Sequence, residues 1–240
     1  MKNALLIDLG GTNIRYASFI ENTLSEISKE KIADKDFISF LKKVLEREKN
    51  KIDCLVIAAA GPNNQSFISL TNRDLLIDAS ELKTKLNLKE CLLLNDWEAV
   101  AQSLSEINQK SFLPIKNGAP SNENTILIGP GTGLGVTLII NGQIIPTEFG
   151  NAYSPTKSML ENFDLKDNEE FFSLENILSG PGIEKLYEEK FERKLSSENI
   201  ISSALDGSKD GLFIVENFLK TLISMINDLV LSFSCEKVIL

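Results

Sequence analysis

Two glycine turns, each set between apolar runs of strand type, constrain the fold of this chain more than any other feature. The first is Gly10-Gly11-Thr12-Asn13, between residues 4–9 and 14–17, and the second is Gly131-Thr132-Gly133, between 126–130 and 134–138. Turns without Cβ atoms let backbone N–H groups converge on an anion, and threonine adds a neutral hydroxyl donor. The pair predicts two phosphate-binding hairpins that hold a nucleotide between two halves. An ordinary tight hairpin is the alternative for either turn taken alone.

The spacing around these turns excludes two common phosphate-binding loops. A P-loop requires a Gly-Lys dipeptide, which the chain does not contain. A dinucleotide-binding fingerprint that begins at Gly129 would need a glycine where Leu134 stands, and the residues after it are of strand type rather than helix type. Any nucleotide therefore binds in a different fold.

Composition limits the chemistry and the partners. The chain has no histidine, so a general base that works near neutral pH must be a carboxylate or a perturbed Cys, Lys or Tyr side chain. Its formal net charge of −9 argues against nucleic acid or an anionic membrane as a partner, because both need a basic surface. Charged and amide residues interrupt the most apolar stretch, 212–233, which predicts an amphipathic helix rather than a membrane span.

The cysteines and the first residues indicate where the protein is found. Cys54, Cys91 and Cys235 lie far apart, without a Cys-x-x-Cys pair, which fits free thiols in a reducing compartment. The chain opens directly into a strand pattern, without the pattern of a signal peptide. We expect a cytoplasmic location.

The order of predicted elements indicates a two-domain α/β protein with mixed sheets and helices on both faces. A small N-terminal domain, 1–107, is predicted to contain strands at 4–9, 14–20, 23–29, 54–60 and 92–94, and helices at 36–48, 80–86 (with Ser80 as N-cap) and 97–107. A Pro-, Asn-, Ser- and Gly-rich loop follows at 109–124. A larger domain, 108–240, is predicted to contain strands at 126–129, 134–140, 143–146 and 237–240, and helices at 169–178, 183–191, 198–205 and 211–233. Because the chain stops within its last predicted strand, we expect this domain to be incomplete at its C-terminus.

The candidate polar residues lie at the ends of predicted elements. Asn95-Asp96 joins a strand to a helix, where polar side chains project from the carboxyl edge of a sheet. One interpretation is a hydroxyl-binding asparagine beside a general base; the other is that Asp96 is the N-cap of the helix. Glu148, Asn151 and Glu175 suit a sugar, because each ring hydroxyl needs an acceptor in a fixed place. Solvated surface is the alternative for each glutamate alone.

Five segments in order resemble the bacterial glucokinases of the non-ROK type, which belong to the superfamily of sugar kinases, actin and heat-shock ATPases. They are residues 7–15, 94–96, 129–136, 146–151 and 175–182, and the resemblance continues in register from Leu5 to Leu240. The ROK sugar kinases are a poorer match, because they carry a cysteine-rich zinc motif after a sugar-binding histidine and this chain has neither residue type there. The resemblance implies a two-domain, actin-like (ribonuclease H-like) fold with nucleotide and sugar in the interdomain cleft.

The resemblance also implies a reaction and a set of roles. The reaction is phosphoryl transfer from MgATP to the 6-hydroxyl of D-glucose, the first step of glycolysis, and similar enzymes are commonly homodimers. Asp96 would accept the hydroxyl proton, and Asp8 would hold Mg²⁺ through water. The sugar would be held by Asn95, Asp96, Glu148, Asn151 and Glu175, and the phosphates by Gly10, Gly11, Thr12, Asn13, Gly131, Thr132 and Gly133. This division fits a reaction in which positioning and charge neutralisation outweigh covalent chemistry.

Two departures from the family pattern leave alternatives open. Asn151 stands where the family usually has histidine, which admits another hexose or an amino sugar as substrate. In the family, the strand that corresponds to 237–240 continues into a Gly-Gly turn that helps to hold adenosine, followed by a terminal helix. Because this sequence stops before that turn, a catalytically impaired sugar-binding or regulatory relative is the second alternative.

Overall fold

The computed structural model describes residues 3–10, 13–31, 37–61, 66–70, 75–153 and 156–240. The chain divides into two compact units, an N-terminal unit of residues 1–107 and a C-terminal unit of residues 108–240. That each unit folds as a separate domain stays a prediction.

The N-terminal unit is built on a mixed sheet. Its strands are β1 (Ala4–Leu9), β2 (Ile14–Ile20), β3 (Thr23–Leu24), β4 (Ser28–Glu30), β5 (Cys54–Ala59) and β8 (Glu90–Asn95), and a separate hairpin comprises β6 (Phe67–Ser69) and β7 (Leu76–Asp78). The sheet order is β3-β2-β1-β5-β8, and β4 also pairs with β2. β1 is antiparallel to β2, whereas β1, β5 and β8 are mutually parallel. Parallel strands need an apolar environment on both faces, which matches the apolar sequence of β5.

In the described part of this unit, three helices accompany the sheet. They are α1 (Phe37–Arg47), α2 (Ala79–Lys85) and α3 (Asp96–Ser103). α1 buries Phe37, Phe40, Leu41 and Val44, whose spacing places them on one helical face. These side chains pack with Leu5, Ile7, Leu55 and Ile57 of the central strands in one hydrophobic core.

The C-terminal unit also begins with two antiparallel strands joined by a glycine turn, but its sheet is smaller. Its strands are β9 (Thr125–Pro130), β10 (Leu134–Ile140), β11 (Gln143–Thr147) and β12 (Lys237–Ile239), in the order β11-β10-β9-β12. The first three are antiparallel neighbours, and β12 is parallel to β9. Asn141 and Gly142 both have positive φ between β10 and β11, as a two-residue hairpin turn requires.

Helices form most of the rest of this unit. They are α4 (Thr156–Glu161), α5 (Gly180–Phe191), α6 (Ser197–Leu205) and α7 (Lys209–Phe233), with 3₁₀ turns at Gln109–Ser111, Phe149–Asn151 and Leu174–Asn176. α7 buries Ile214, Phe218, Leu222, Met225 and Leu229 along one side. No helix in the described ranges is long and apolar enough to cross a bilayer.

The hairpins predicted at the two glycine turns are confirmed, since β1 pairs with β2 and β9 with β10 in antiparallel register. Other expectations are wrong. Asp78, not Ser80, caps α2, because Asp78 Oδ1 accepts from the N–H groups of Ser80 and Glu81 at 2.7 and 3.0 Å. The strand predicted at 23–29 is two short strands, and the helix predicted at 97–107 ends at Ser103.

The helix predicted at 169–178 is also wrong. Only a 3₁₀ turn forms there, where Ser173 and Asn176 close a capping box, and Ser179 then starts α5 by accepting from Gly182 N–H at 3.0 Å. Two N-caps in the same segment, Ser173 and Ser179, start separate elements and so prevent one continuous helix. Sequence reasoning missed α4 and the β6–β7 hairpin altogether.

Candidate active site

The candidate residues of the N-terminal unit meet at the carboxyl ends of parallel strands. Asp8 on β1 is in register with Ala58 on β5 and, through it, with Leu94 on β8. Because neighbouring strands are about 4.8 Å apart, Asp8 and the residues just after Leu94 lie at one edge, two strand spacings apart. The topology therefore brings Asp8 and Asp96 to the same side of the sheet.

Asn95 ends β8 and caps α3, and only 5% of its surface is exposed. Its Oδ1 accepts from the N–H groups of Trp97 and Glu98 at 2.9 and 3.3 Å. In return, Asn95 N–H donates to Glu98 Oε2 at 3.1 Å, which completes a capping box. The side-chain amide Nδ2 donates to Gly61 O over a longer 3.5 Å. The interpretation of Asp96 as the N-cap is therefore wrong, since Asn95 has that role.

Asp96 is the first residue of α3, and its carboxyl is half-buried. Burial raises the pKa of this carboxyl. The N–H of Trp97, which donates to Asp96 Oδ1 at 2.9 Å, acts in the opposite direction, and the negative charge of Asp8 raises the pKa further. A carboxylate with a raised pKa is a stronger proton acceptor than an ordinary aspartate. Because Trp97 N–H already binds Oδ1, we expect a ligand to bind at Oδ2.

The first glycine turn is described at its two ends only. Gly10 N–H donates to Asn13 O at 3.0 Å, and the predicted phosphate contacts Gly11 and Thr12 lie outside the described residues. Below the turn, Asp8 Oδ2 and Arg15 Nη1 form an ion pair at 2.7 Å across β1 and β2. Both side chains are about half exposed.

Asp8 is a partial match to a magnesium site. No group of three or more acidic, Cys or His side chains suited to a metal is found among the described residues. A Mg²⁺ ion that keeps most of its waters and arrives bound to phosphate needs only one or two carboxylates. The exposed Asp8 carboxylate fits that limited role.

The second glycine turn is open to solvent. Gly131 N–H donates to Gly133 O at 2.8 Å, which closes the turn. A Cβ atom at Gly131 would meet nothing within 4 Å. Within the described ranges, the N–H groups of Thr132 and Gly133 make no hydrogen bond. Free backbone donors beside open space are what an anion-binding turn needs.

Glu175 lies directly behind this turn, in the 3₁₀ turn Leu174–Asn176. Its Oε2 accepts from the N–H of Leu134, the first residue after the turn, at 3.2 Å. On the other side of the turn, Gly131 O accepts from Gly180 N–H at 2.8 Å, at the start of α5. The two contacts come from one short segment of the chain.

Glu148 and Asn151 lie at the two ends of the 3₁₀ turn that follows β11. Asn151 Nδ2 donates to Glu148 Oε2 at 3.1 Å. A Cβ atom at Gly150 would overlap the carbonyl oxygen of Leu134, so this 3₁₀ turn sits against the residue that follows the second glycine turn.

The two 3₁₀ turns of the C-terminal unit that carry these residues are joined to each other. Tyr153 and Ser173 form an isolated antiparallel bridge, and Leu174 N–H donates to Ala152 O at 3.4 Å. Glu148, Asn151 and Glu175 thus belong to one cluster with the second glycine turn.

The predicted residues fall into two groups, one in each unit. The described members of the N-terminal group are Asp8, Gly10, Asn13, Asn95 and Asp96, and those of the C-terminal group are Gly131, Thr132, Gly133, Glu148, Asn151 and Glu175. Sequence reasoning missed Arg15 and Glu98. The Asn-x-x-Glu spacing from Asn95 to Glu98 is a capping-box signal that could have found the second of these.

Solved structures of sugar kinases have the same mixed α/β fold as this chain, the actin-like ATPase fold. The glucokinase from Balamuthia mandrillaris in complex with glucose is 22% identical, with a TM-score of 0.74, over 99% of this chain and 78% of that protein. A ROK family glucokinase from Streptomyces griseus in complex with glucose and AMPPNP is 15% identical, with a TM-score of 0.69, over 98% and 81%. These likenesses establish the fold alone.

Sequence comparison identifies the family among proteins of this fold. The sequence profile described as Glucokinase matches residues 5–239, and the chain belongs to the glucokinase family. It is 30% identical to the glucokinase of Caulobacter vibrioides over 95% of this chain and 76% of that protein. It is 28% identical to the glucokinase of Pseudomonas paraeruginosa over 85% of this chain, but spans only 60% of that protein's length. The assignment to the non-ROK type stays a prediction.

Proposed function

We propose that this protein catalyses the ATP-dependent phosphorylation of D-glucose to glucose 6-phosphate. The observation that carries the proposal is the Asn95-Asp96 pair, where a capping box fixes the backbone and leaves a carboxylate of raised pKa at the carboxyl edge of a parallel sheet. Membership of the glucokinase family supports it. So do the Balamuthia mandrillaris and Streptomyces griseus proteins, whose structures contain glucose and, in the second, AMPPNP.

Asp96 would act on the 6-hydroxyl of the sugar. Its Oδ2 accepts the hydroxyl proton while the hydroxyl oxygen forms a bond to the γ-phosphorus of ATP and the bond from that phosphorus to ADP breaks. The proton remains on the Asp96 carboxyl until it is released to water. A positioned general base of this kind contributes about 10²–10⁴-fold to the rate.

The remaining polar groups would hold the sugar. Glu148 and Glu175 offer carboxylate acceptors to ring hydroxyls, and Asn151 offers an amide that both donates and accepts. Asn95, whose Oδ1 already accepts from two N–H groups, offers its amide N–H as a donor. Since Asn151 and Glu148 are hydrogen-bonded to each other at 3.1 Å, they would bind as a pair. Positioning of this type accounts for much of the rate of phosphoryl transfer.

The glycine turns would contact the phosphates of ATP, which binds as its magnesium complex. The proposed donors are the backbone N–H groups of both turns. In the second turn, the N–H groups of Thr132 and Gly133 make no other hydrogen bond within the described residues. Asp8 would hold the Mg²⁺ ion through water, and the ion would neutralise charge on the phosphates.

We also propose a cytoplasmic location and a homodimeric state. The location is supported by the three cysteines, all of which are free thiols. The dimer rests on family resemblance alone, and measurement of the molar mass in solution by light scattering tests it.

A coupled assay that follows ADP release in the presence of glucose tests the reaction. We expect Asp96→Asn to lower kcat by about 10³-fold without unfolding the protein, because Asn95 and not Asp96 caps α3. Asp167→Asn, at an exposed aspartate outside the cluster, is the matched control and should retain wild-type kcat. If both variants have the same kcat, the assignment of Asp96 as the base is wrong.

The position of Asn151 favours a second candidate, phosphorylation of another hexose or an amino sugar. Its amide is exposed and bonded to Glu148, at the place where substituents on the sugar ring would be distinguished. A panel of hexoses compared by kcat/KM decides between the two, and a clear preference for glucose removes this candidate. Glucose binding by calorimetry without turnover of any sugar would instead support a sugar-binding or regulatory protein.

A further inference from the structure

The second glycine turn is supported on both sides by the segment 173–182. The limb after the turn is fixed where Leu134 N–H donates to Glu175 Oε2 at 3.2 Å. The limb before it is fixed where Gly180 N–H donates to Gly131 O at 2.8 Å. Glu175 and Gly180 are five residues apart, so one short segment holds both limbs of the turn, through a side chain on one side and the backbone on the other.

Close packing at Gly133 shows how tightly Glu175 approaches the turn. A Cβ atom built on Gly133 would lie 2.5 Å from Glu175 Oε2. Only glycine therefore lets the carboxylate reach Leu134 N–H without displacement. A hydrogen bond to an ionised acceptor is about twice as strong as one between neutral groups.

Because Oε2 is engaged by the turn, Glu175 has one oxygen left for a ligand. The carboxylate is half-buried, and its own 3₁₀ turn is stabilised by Ser173 and Asn176 rather than by Glu175. The side chain is thus placed to contact a sugar hydroxyl through Oε1 while Oε2 holds the turn. The hydrogen bond from Leu134 N–H to Oε2 forms without a ligand.

We propose that Glu175 is a positioning residue for the phosphate-binding turn and couples sugar binding to nucleotide binding. This inference rests on the proposed function. A sugar hydroxyl bound at Oε1 restricts the rotation of the carboxylate and thereby orders Leu134 N–H and the free donors of Thr132 and Gly133. Binding of either substrate then favours binding of the other, because the first to bind orders Glu175 and the turn and so lowers the entropic cost of binding the second.

Three variants separate the roles of Glu175. Glu175→Ala removes both oxygens, Glu175→Gln keeps an acceptor for Leu134 N–H but loses the charge, and Glu148→Ala is the matched control in the same cluster. Calorimetry measures the affinity for AMPPNP with Mg²⁺, with and without glucose. We expect Glu175→Ala to weaken AMPPNP binding by about tenfold and to abolish the enhancement by glucose. Glu175→Gln should retain most of the AMPPNP affinity, and Glu148→Ala should weaken glucose binding alone.

Amide hydrogen exchange tests the same contact without activity or nucleotide. Exchange of the Leu134 amide should be faster in Glu175→Ala than in wild type, near wild type in Glu175→Gln, and slowed by glucose in the wild-type protein. Unchanged AMPPNP affinity in Glu175→Ala, or unchanged exchange at Leu134, overturns the inference. Glucose binding without AMPPNP binding by the wild-type chain removes the proposed kinase function instead, and the exchange result then decides the positioning role alone.

Discussion

The two units of this protein build the same hairpin but surround it with different chemistry. In each, a central strand is antiparallel to the strand after the glycine turn and parallel to a later strand on its other side, β5 for β1 and β12 for β9. One pair inward from the turn, Asp8 faces Arg15 in the N-terminal unit, whereas Gly129 faces Gly135 in the C-terminal unit. The two units therefore share their strand arrangement, but at this pair of positions only the first turn has charged side chains beside it.

The two units also differ in what supports their candidate residues. The N-terminal unit fixes its catalytic candidate by a local capping box, Asn95 with Glu98, three residues apart. The C-terminal unit fixes its turn by long-range contacts from the segment 173–182, about 40 residues further along the chain. A local support depends on helix formation, while a long-range support depends on tertiary packing. The comparison therefore predicts different consequences for mutations in the two places.

Among the substitutions that test this comparison between the two turns, Asp8→Asn should have the largest effect, because it removes the charge that distinguishes the first turn. We expect kcat/KM for MgATP to fall on the order of 100-fold, since a carboxylate is lost from the proposed magnesium site. The measurement is the coupled assay over a range of Mg²⁺ concentrations, where excess Mg²⁺ should restore part of the activity. Arg15→Gln is the control, because it leaves the carboxylate in place and removes only an exposed ion pair. Equal losses in the two variants would break the comparison.

Gly150→Ala tests the long-range packing beside the second turn. The new Cβ atom would overlap the Leu134 carbonyl oxygen of the backbone, so we expect a loss of about 2 kcal/mol in the free energy of unfolding. Denaturant titration followed by circular dichroism measures it. Gly118→Ala, where a Cβ atom meets nothing within 4 Å, should change the free energy of unfolding by far less. Equal stability of the two variants would contradict the packing at Gly150.

Glu98→Ala tests the local support of the first unit. Loss of the capping box should lower the free energy of unfolding by about 1 kcal/mol and, by loosening Asn95-Asp96, lower kcat by about tenfold. Glu98→Gln should restore both, because glutamine also completes a capping box. Steady-state kinetics with glucose separates the effect on kcat from that on KM. A Glu98→Ala protein with reduced stability and unchanged kcat would limit Glu98 to a structural role.

The smallest expected effect is the pH dependence of stability that Asp96 confers. Its pKa in the folded state is raised above the ordinary value of 3.8, so its contribution to stability is complete below the unfolded pKa and is lost as the pH rises through the folded pKa. At pH 7 the wild type therefore carries an unfavourable buried charge, and Asp96→Asn should unfold at a slightly higher temperature. The difference should shrink as the pH falls toward the ordinary pKa of an aspartate. Thermal melts at several pH values check this, and a difference independent of pH would refute the raised pKa.

The hairpins and most strands could be predicted because their signals are local. Apolar runs on either side of a glycine turn, or of Asn141-Gly142, determine both the strands and their antiparallel pairing. The helix expected at 169–178 was wrong because Ser173 and Ser179 are the N-caps of two separate elements. A single serine does not interrupt the apolar periodicity from which the helix was predicted. α4 and the β6–β7 hairpin were missed because elements of three to six residues give little periodicity.

The candidate site was predictable in type but not in arrangement. Strand ends placed Asp8 and Asp96 at one edge, because parallel strands share their polarity. The contact between Glu175 and Leu134 could not be read from sequence, since it depends on how the segment 173–182 packs against a turn about 40 residues earlier. The choice of Asn95 rather than Asp96 as the cap depends on where the backbone enters the helix, and Asn95 is the last residue with an extended conformation.

The bridge between Tyr153 and Ser173 has a consequence for how this protein can tolerate change. It brings Tyr153 and Ser173 together at the two ends of the intervening segment, which contains α4. Lengthening such a closed loop costs little, about 0.6 kcal/mol for each doubling. Leu160, Phe163 and Phe171 anchor this segment in the core, so insertions are best tolerated in its exposed stretch, 166–170. A reporter or a second binding module inserted there should leave Glu148, Asn151 and Glu175 in place.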